Sequence, residues 1–315
     1  MIELGLGTAA IGRPQYINIK TENNIPLSLN AFKEQGFAVL ENAYKLGIRY
    51  FDTAPGYGLA EELVLEWVQT KNDKNIEIGT KWGYTYTAKF NSTAKIHEVK
   101  EHSLQKLKAQ WAISKKMLPY LKVYQIHSAT LETKVLENTE ILNYLANLKE
   151  KYQLQIGITT TGKNQIEVLK KALDIKVNNI YLFDVFQITY NLLEQSLSEI
   201  SEELLRQNKQ IIIKEALANG RIFRNENYQH YKEMYDYLEK VAQKYKVGVD
   251  AIALKYCSQT IPNSTVLSGA STENQLKENK KLLNISLTKD EINCLNKFKV
   301  TADFYWNERK KLIWN

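Results

Sequence analysis

One pattern limits what this chain can fold into more than any other: a short apolar run, a turn and an amphipathic helix, recurring along its whole length. The runs are "ELGLGT", "IRYFD", "IEIGTK", "LKVYQIH", "LQIGITT", "YLFDVFQITY", "QIIIKEA" and "TVLSGA". Runs this continuously apolar suit parallel strands buried on both faces. Helical spacing fills the intervals. Phe37, Leu40 and Tyr44 share a stripe in a helix from about Leu29 to Leu46, and Leu63, Val64, Trp67 and Val68 oppose Glu61, Glu62 and Glu66 in the next. Further helices are expected from His102 to Ile113, on the face of Ile141, Leu145 and Leu148, and near Asn164 to Leu173. Thr272 with Gln275, and Thr288 with Glu291, have the spacing of capping boxes. Eight such units predict an α/β chain folded as a (β/α)8 TIM barrel rather than an open doubly wound sheet. No run is followed by a G-x-G-x-x-G turn; "GLGTAAIG" comes nearest, without the third glycine in place or a helix directly after it.

Length and composition agree with one barrel. The chain has 315 residues, 44% hydrophobic and 24% charged, with 5 prolines and no Pro/Gly/Ser-rich linker, so a single domain over residues 1–315 is expected. The start carries no basic-then-apolar leader and no window reaches transmembrane length, and a cytoplasmic location without a membrane partner is the expectation. Cys257 and Cys294 form neither metal-type spacing nor a disulfide framework, and no metal is expected. The net charge of +7 comes from 42 Lys and Arg against 35 Asp and Glu, scattered as in "KKALDIKVNNI". Scattered charge reads as solvated helix faces rather than a nucleic-acid surface, while a mildly positive field favours a phosphate-bearing ligand. The oligomeric state is not set by the sequence.

In such barrels chemistry sits where the strands finish. Asp52 closes the second run, and its loop, "TAPGYG", offers Tyr57; Lys81 closes the third and His127 the fourth. Singly, these groups fit a turn cap, a packing ring, a solvated strand end and a core histidine. Jointly, on adjacent strand ends, they fit carbonyl reduction. Hydride arriving at a carbonyl carbon leaves an alkoxide that must be protonated as it forms. Tyr57 is the expected acid, Lys81 and Asp52 are expected to lower its pKa, and His127 to orient the oxygen. Hydride cannot come from a side chain, so a nicotinamide cofactor is required.

"FDTAPGYG", "GTKWG", "YQIHS", "FQITYN" and "TVLSGASTENQLKEN" follow one another in the order of the aldo-keto reductases, which the chain resembles from "LGLGTA" to "LKENKKLL". The resemblance implies a catalytic tetrad of Asp52, Tyr57, Lys81 and His127. It places Gly7 and Thr8 under the nicotinamide ribose, Gln187 on the carboxamide, and Glu278 and Asn279 at the adenine. Thr159 and Thr160 stand where the family has Ser-Asn. Lys214 and Glu215 stand where many members carry an aromatic ring, followed by Leu217 and Arg221; Lys214 or Arg221 is the expected counter-charge to Glu215. Gly269, Ala270 and Gln275 stand where a lysine, a serine and an arginine usually grip the 2′-phosphate. Family membership favours NADP(H); these residues leave NAD(H) open. Trp82, Tyr84 and Tyr86 read as aromatics of the mouth, Ser128 as an opening in it, and "RPQYINIKTENNIPLS" as a rim loop or lid. Trp82 and Trp306 are the expected substrate contacts beside Tyr57 and His127, with residues 301–315 a tail over the pocket. The reading is an NAD(P)-dependent reductase of small carbonyls, or dehydrogenase of the alcohols, of the kind acting on hydroxylated substrates. The alternative is a cofactor-binding regulatory or redox-sensing relative with little turnover.

Overall fold

Eight strands pair in parallel and close on themselves: β1 (Leu4–Gly7), β2 (Tyr50–Asp52), β3 (Glu77–Trp82), β4 (Leu121–Ala129), β5 (Gln155–Thr160), β6 (Val185–Thr189), β7 (Gln210–Lys214) and β8 (Ser264–Ser268). They lie in sequence order around the barrel, with β8 returning to β1 through the register Leu4↔Val266, Gly5↔Leu267 and Leu6↔Ser268. The expected (β/α)8 barrel is therefore the fold. The computed structural model describes residues 3–14, 19, 28–91 and 93–313. Most of the proposed rim loop, "RPQYINIKTENNIPLS", lies outside these residues.

Alternation along the strands sorts side chains into two compartments. Tyr50, Val123, Val185, Ile212 and Leu267 meet inside the barrel, while Phe51, Ile78, Tyr124, Ile126 and Ile158 face the helices in the larger core. The same alternation points Asp52, His127, Gln187 and Lys214 inward at the strand ends, two or four positions on from those interior residues, and Lys81 two on from Gly79, against which Tyr50 packs. Helices cover the outside, including α1 (Leu29–Lys45), α2 (Ala60–Gln69) and α3 (Leu104–Ser114).

Several local expectations need adjustment. The buried stripe of α1 runs through Gly36, Val39, Leu40 and Ala43, so Phe37 and Tyr44 flank it rather than define it. In α2, Leu63, Val64, Trp67 and Val68 are buried as expected, but Glu61 is buried with them. Its carboxyl accepts from the Thr80 and Ser114 hydroxyls, each at 2.7 Å, which the helix pattern alone does not reveal. Strand β4 continues past His127 to Ala129 through a bulge in its pairing with β5, where Ser128 takes φ 52°. The run "YLFDVFQITY" divides: only Val185–Thr189 joins the barrel, while Ile180–Tyr181 pairs with Lys176–Val177 in a separate hairpin. Thr288 and Glu291 form the full reciprocal capping box. Thr272 caps its helix through Gln275 N, but the Gln275 side chain turns to Ser271 N instead.

Two additions shape the mouth. After β3 an antiparallel hairpin, Tyr84–Tyr86 with Glu98–Lys100, rises over the strand ends. A helix at Ala302–Lys310 docks on the loops that follow β6 and β7.

Candidate active site

Asp52 is the hub of the barrel's open end. Its Oδ2 accepts from Lys81 Nζ at 2.5 Å, and its Oδ1 accepts from Gln187 Nε2 at 2.7 Å and Gln125 Nε2 at 3.5 Å. Lys81 also donates to the Thr53 carbonyl at 3.0 Å, and both members of the pair are buried. Buried charge of this kind is tolerable only when paired and hydrogen-bonded, and here it is both.

Tyr57 sits above that pair, on the loop between β2 and α2. Lys81 Nζ lies 4.9 Å from its ring centroid, and its hydroxyl is 3.4 Å from His127 Nε2. The two rings meet edge-on at 5.4 Å, and Tyr84 from the hairpin packs against the other side of His127 at 4.6 Å. The four residues singled out at adjacent strand ends therefore converge.

Their electrostatics depart from expectation in one respect. Burial pushes the Tyr57 phenol well above the ordinary tyrosine value, and the Asp52 carboxylate pushes it further, because a nearby anion disfavours phenolate. Asp52 thus does not lower the phenol's pKa; its structural contribution is to hold Lys81. Arg13, whose guanidinium stands 5.5 Å from the Tyr57 ring, opposes the rise. His127 is held well below its usual value, by burial first and then by the Lys81 and Lys214 charges, so its imidazole is neutral.

The remaining expected residues divide. Gly7 pairs with Asp52 at the end of β1, and Thr8 is spent on structure, its hydroxyl donating to the Asp52 carbonyl at 2.9 Å. Thr159 Oγ1 accepts from Ser128 N at 2.7 Å, while the buried Thr160 hydroxyl lies on the helix side of β5. Lys214 reaches Thr189 Oγ1 at 2.9 Å, and burial brings its ammonium down to about 8, against the opposing pull of Glu215. Glu215 takes φ 56° and is neutralised by neither Lys214 nor Arg221 alone. Arg309 of the last helix grips it with Nε and Nη2 at 2.5–3.0 Å, which outweighs the effect of burial and holds the carboxyl at about 2. Arg221 is fully buried elsewhere: it donates to Glu308 Oε2 at 2.8 Å and stands over the Tyr305 ring at 4.2 Å. Leu217 packs at the edge of the core.

At the end of β8, a side-chain carbon on Gly269 would meet nothing within 4 Å. Gln275 is engaged with Ser271, Glu278 pairs with Lys281 at 2.7 Å, and Asn279 is committed on both sides, to Ser268 Oγ and Asp250 Oδ2. Asn279 is therefore a bracket within the protein rather than a group presented outward.

Both proposed tryptophan contacts need correction. Trp82 follows Lys81, so alternation turns it outward, where it is fully buried in the strand–helix core and edge-on to His102 at 5.4 Å. Trp306 is buried too, its indole donating to Glu194 Oε2 at 3.1 Å. It anchors the tail helix instead of facing the mouth. Sequence reasoning also missed Arg13, Glu98 and Arg309. The glycine before Arg13 and those flanking Tyr57 were the available signal for the first.

Comparisons with known proteins bear on the family and the fold. The model of the Aldo/keto reductase family matches residues 3–299. The NADH-specific methylglyoxal reductase of Escherichia coli (strain K12) is 23% identical over 316 residues, covering 90% of each chain. An uncharacterized oxidoreductase of Bacillus subtilis (strain 168) is 26% identical, covering 85% of this chain and 89% of that one. Among solved structures, the glycerol dehydrogenase of Gluconobacter oxydans superposes with a TM-score of 0.71 at 20% identity, over 94% of this chain and 90% of that one. The holo form of an aldo-keto reductase from Bacillus halodurans gives 0.67 at 21%, over 95% and 93%. A barrel matched almost from end to end by the family's own pattern leaves one assignment: the chain belongs to the aldo/keto reductase family.

Proposed function

We propose that the protein is a nicotinamide-dependent reductase of small aldehydes or ketones, with Tyr57 as the general acid. The observation that carries this reading is the Tyr57 hydroxyl 3.4 Å from His127 Nε2, with the Lys81–Asp52 pair beneath its ring. A phenol held above its ordinary value stays protonated through neutral pH and is ready to donate. Lys81 then faces the phenolate that forms. Neutral His127, with its proton on Nε2, donates to the substrate oxygen and sets its direction. The same protonation state suits reduction over oxidation, because oxidation asks Tyr57 to begin as phenolate.

The residues present fit a dinucleotide. Gln187 and Thr159 supply amide and hydroxyl groups inside the mouth, Lys214 a half-buried cation for phosphate, and Gly269 open space at the end of β8. When bound, the nicotinamide supplies the hydride; the protein's part is to hold it, exclude water and move the proton at Tyr57. We read the preferred form as NAD(H) over the NADP(H) favoured by family membership. Of Lys277, Lys280 and Lys281 at the end of the helix after β8, two are already paired, Lys277 with Glu273 and Lys281 with Glu278, and Asp250 and Glu278 add negative charge. A 2′-phosphate gains little there without a cationic partner. The NADH-specific methylglyoxal reductase among its relatives supports both the cofactor and a small carbonyl substrate.

Tyr57→Phe tests the reading. It should bind NADH as the parent does and lose about 10²–10⁴ in kcat on any aldehyde the parent reduces. Undiminished turnover would remove Tyr57 from the mechanism.

A further inference from the structure

The loop that carries Tyr57 is seated on the turn after β1. Gly12 O accepts from Leu59 N at 2.7 Å, and a side-chain carbon on Gly12 would stand 2.1 Å from the Tyr57 carbonyl oxygen. From the other side, Gly58 has φ 66°, and a carbon on it would stand 2.4 Å from Gly12 O. Only residues without a side chain allow this approach. It delivers the next residue, Arg13, to the phenol. Arg13 is 3% exposed, and its Nη1 donates to the Gly56 carbonyl at 2.9 Å and to Glu98 Oε2 at 2.7 Å. One guanidinium thus joins the first loop, the Tyr57 loop and the hairpin, while standing 5.5 Å from the Tyr57 ring.

We propose that Arg13 is a positioning residue for the proton donor: it ties the Gly56–Gly58 loop to the hairpin and places a fixed cation beside the phenol. This rests on the reading of Tyr57 as the acid. The charged and titratable groups around Tyr57 are Asp52 from β2, Lys81 from β3, His127 from β4, Tyr84 and Glu98 from the hairpin, and Glu215 from the loop after β7. Asp52, Glu98 and Glu215 disfavour phenolate, and Arg13 acts against all three. An acid that must pass through its anion when it gives up its proton needs such a counterweight, and Lys81 is already clamped to Asp52.

The test compares Arg13→Met, Arg13→Lys and Glu98→Gln with the parent in two measurements. Amide hydrogen exchange at Tyr57 and Leu59, without cofactor or substrate, reads the bridge. The pH profile of alcohol oxidation with NAD⁺ reads the charge. Arg13→Met should speed exchange by about tenfold or more through easier local opening. It should move the rising limb of that profile to higher pH and lower kcat at neutral pH by about tenfold, with KM little changed. Arg13→Lys should restore the profile more than the exchange, and Glu98→Gln should move the limb to lower pH. Unchanged exchange in Arg13→Met overturns the bridge, and an unchanged profile overturns the charge. Should the parent oxidise or reduce nothing, the assignment of Tyr57 falls, while the exchange measurement still decides whether Arg13 holds the loop.

Discussion

If Lys214 meets the cofactor phosphate as proposed, stability and ligand binding pull in opposite directions there. Its value near 8 in the folded protein lies below the ordinary 10.5, because burial disfavours the ammonium. The charge therefore costs stability below about 8, and that cost is relieved as pH rises toward 10.5. An anionic cofactor wants the charge present. Lys214→Met should therefore raise the melting midpoint at pH 7 yet weaken NADH binding by about tenfold, the scale of one charge-assisted contact. In the parent, the dissociation constant should grow as pH passes through about 8; in the variant it should not. Fluorescence titration across that range checks both. A variant as pH-sensitive as the parent would mean that another group governs phosphate binding.

The tail helix, Ala302–Lys310, shows how an element can be placed by a few side chains. Tyr305 bonds to Asn191, Trp306 to Glu194, Glu308 to Arg221 and Tyr231, and Arg309 to Glu215. Glu215, held at about 2, contributes to this docking above its ordinary 4.5, and the contribution is lost as pH falls toward 2. Arg309→Met strips the Glu215 carboxylate of its bidentate partner and should cost about 3 kcal/mol. Limited proteolysis should then cut within residues 302–310 before the barrel, whereas equal resistance would place the anchoring elsewhere. The same helix marks where sequence reading stops. Asp52, Lys81 and His127 were legible because strand ends converge by topology alone, and Tyr57 because its loop is short. Arg309 meets Glu215 across 94 residues and Arg13 meets Gly56 across 43, through loops with no periodic pattern to place them. Glu61 looked solvent-facing by helical spacing, and only Thr80 and Ser114, brought from two other elements, make its burial tolerable. Trp82 was misplaced for want of the two-residue alternation that its neighbour Lys81 obeys.

At the scale of the molecule, the barrel is a single closed layer of strands with its candidate site at one end. We expect it to unfold as one unit and to respond to ligand as one unit. NADH at a hundred times its dissociation constant should add about 2.7 kcal/mol. That corresponds to roughly 5 °C in the midpoint for a domain of this size. NADPH at the same concentration should shift the midpoint less, and equal shifts would refute the proposed preference. Closure of the sheet also sets an order of events. Residues 302–310 leave the ribosome after β8, so a nascent barrel can join its strands while Glu215 still lacks the guanidinium that tames it. We expect maturation of the mouth to follow as a later step, and a bulky fusion placed just behind the tail to delay the onset of activity without slowing the formation of the barrel.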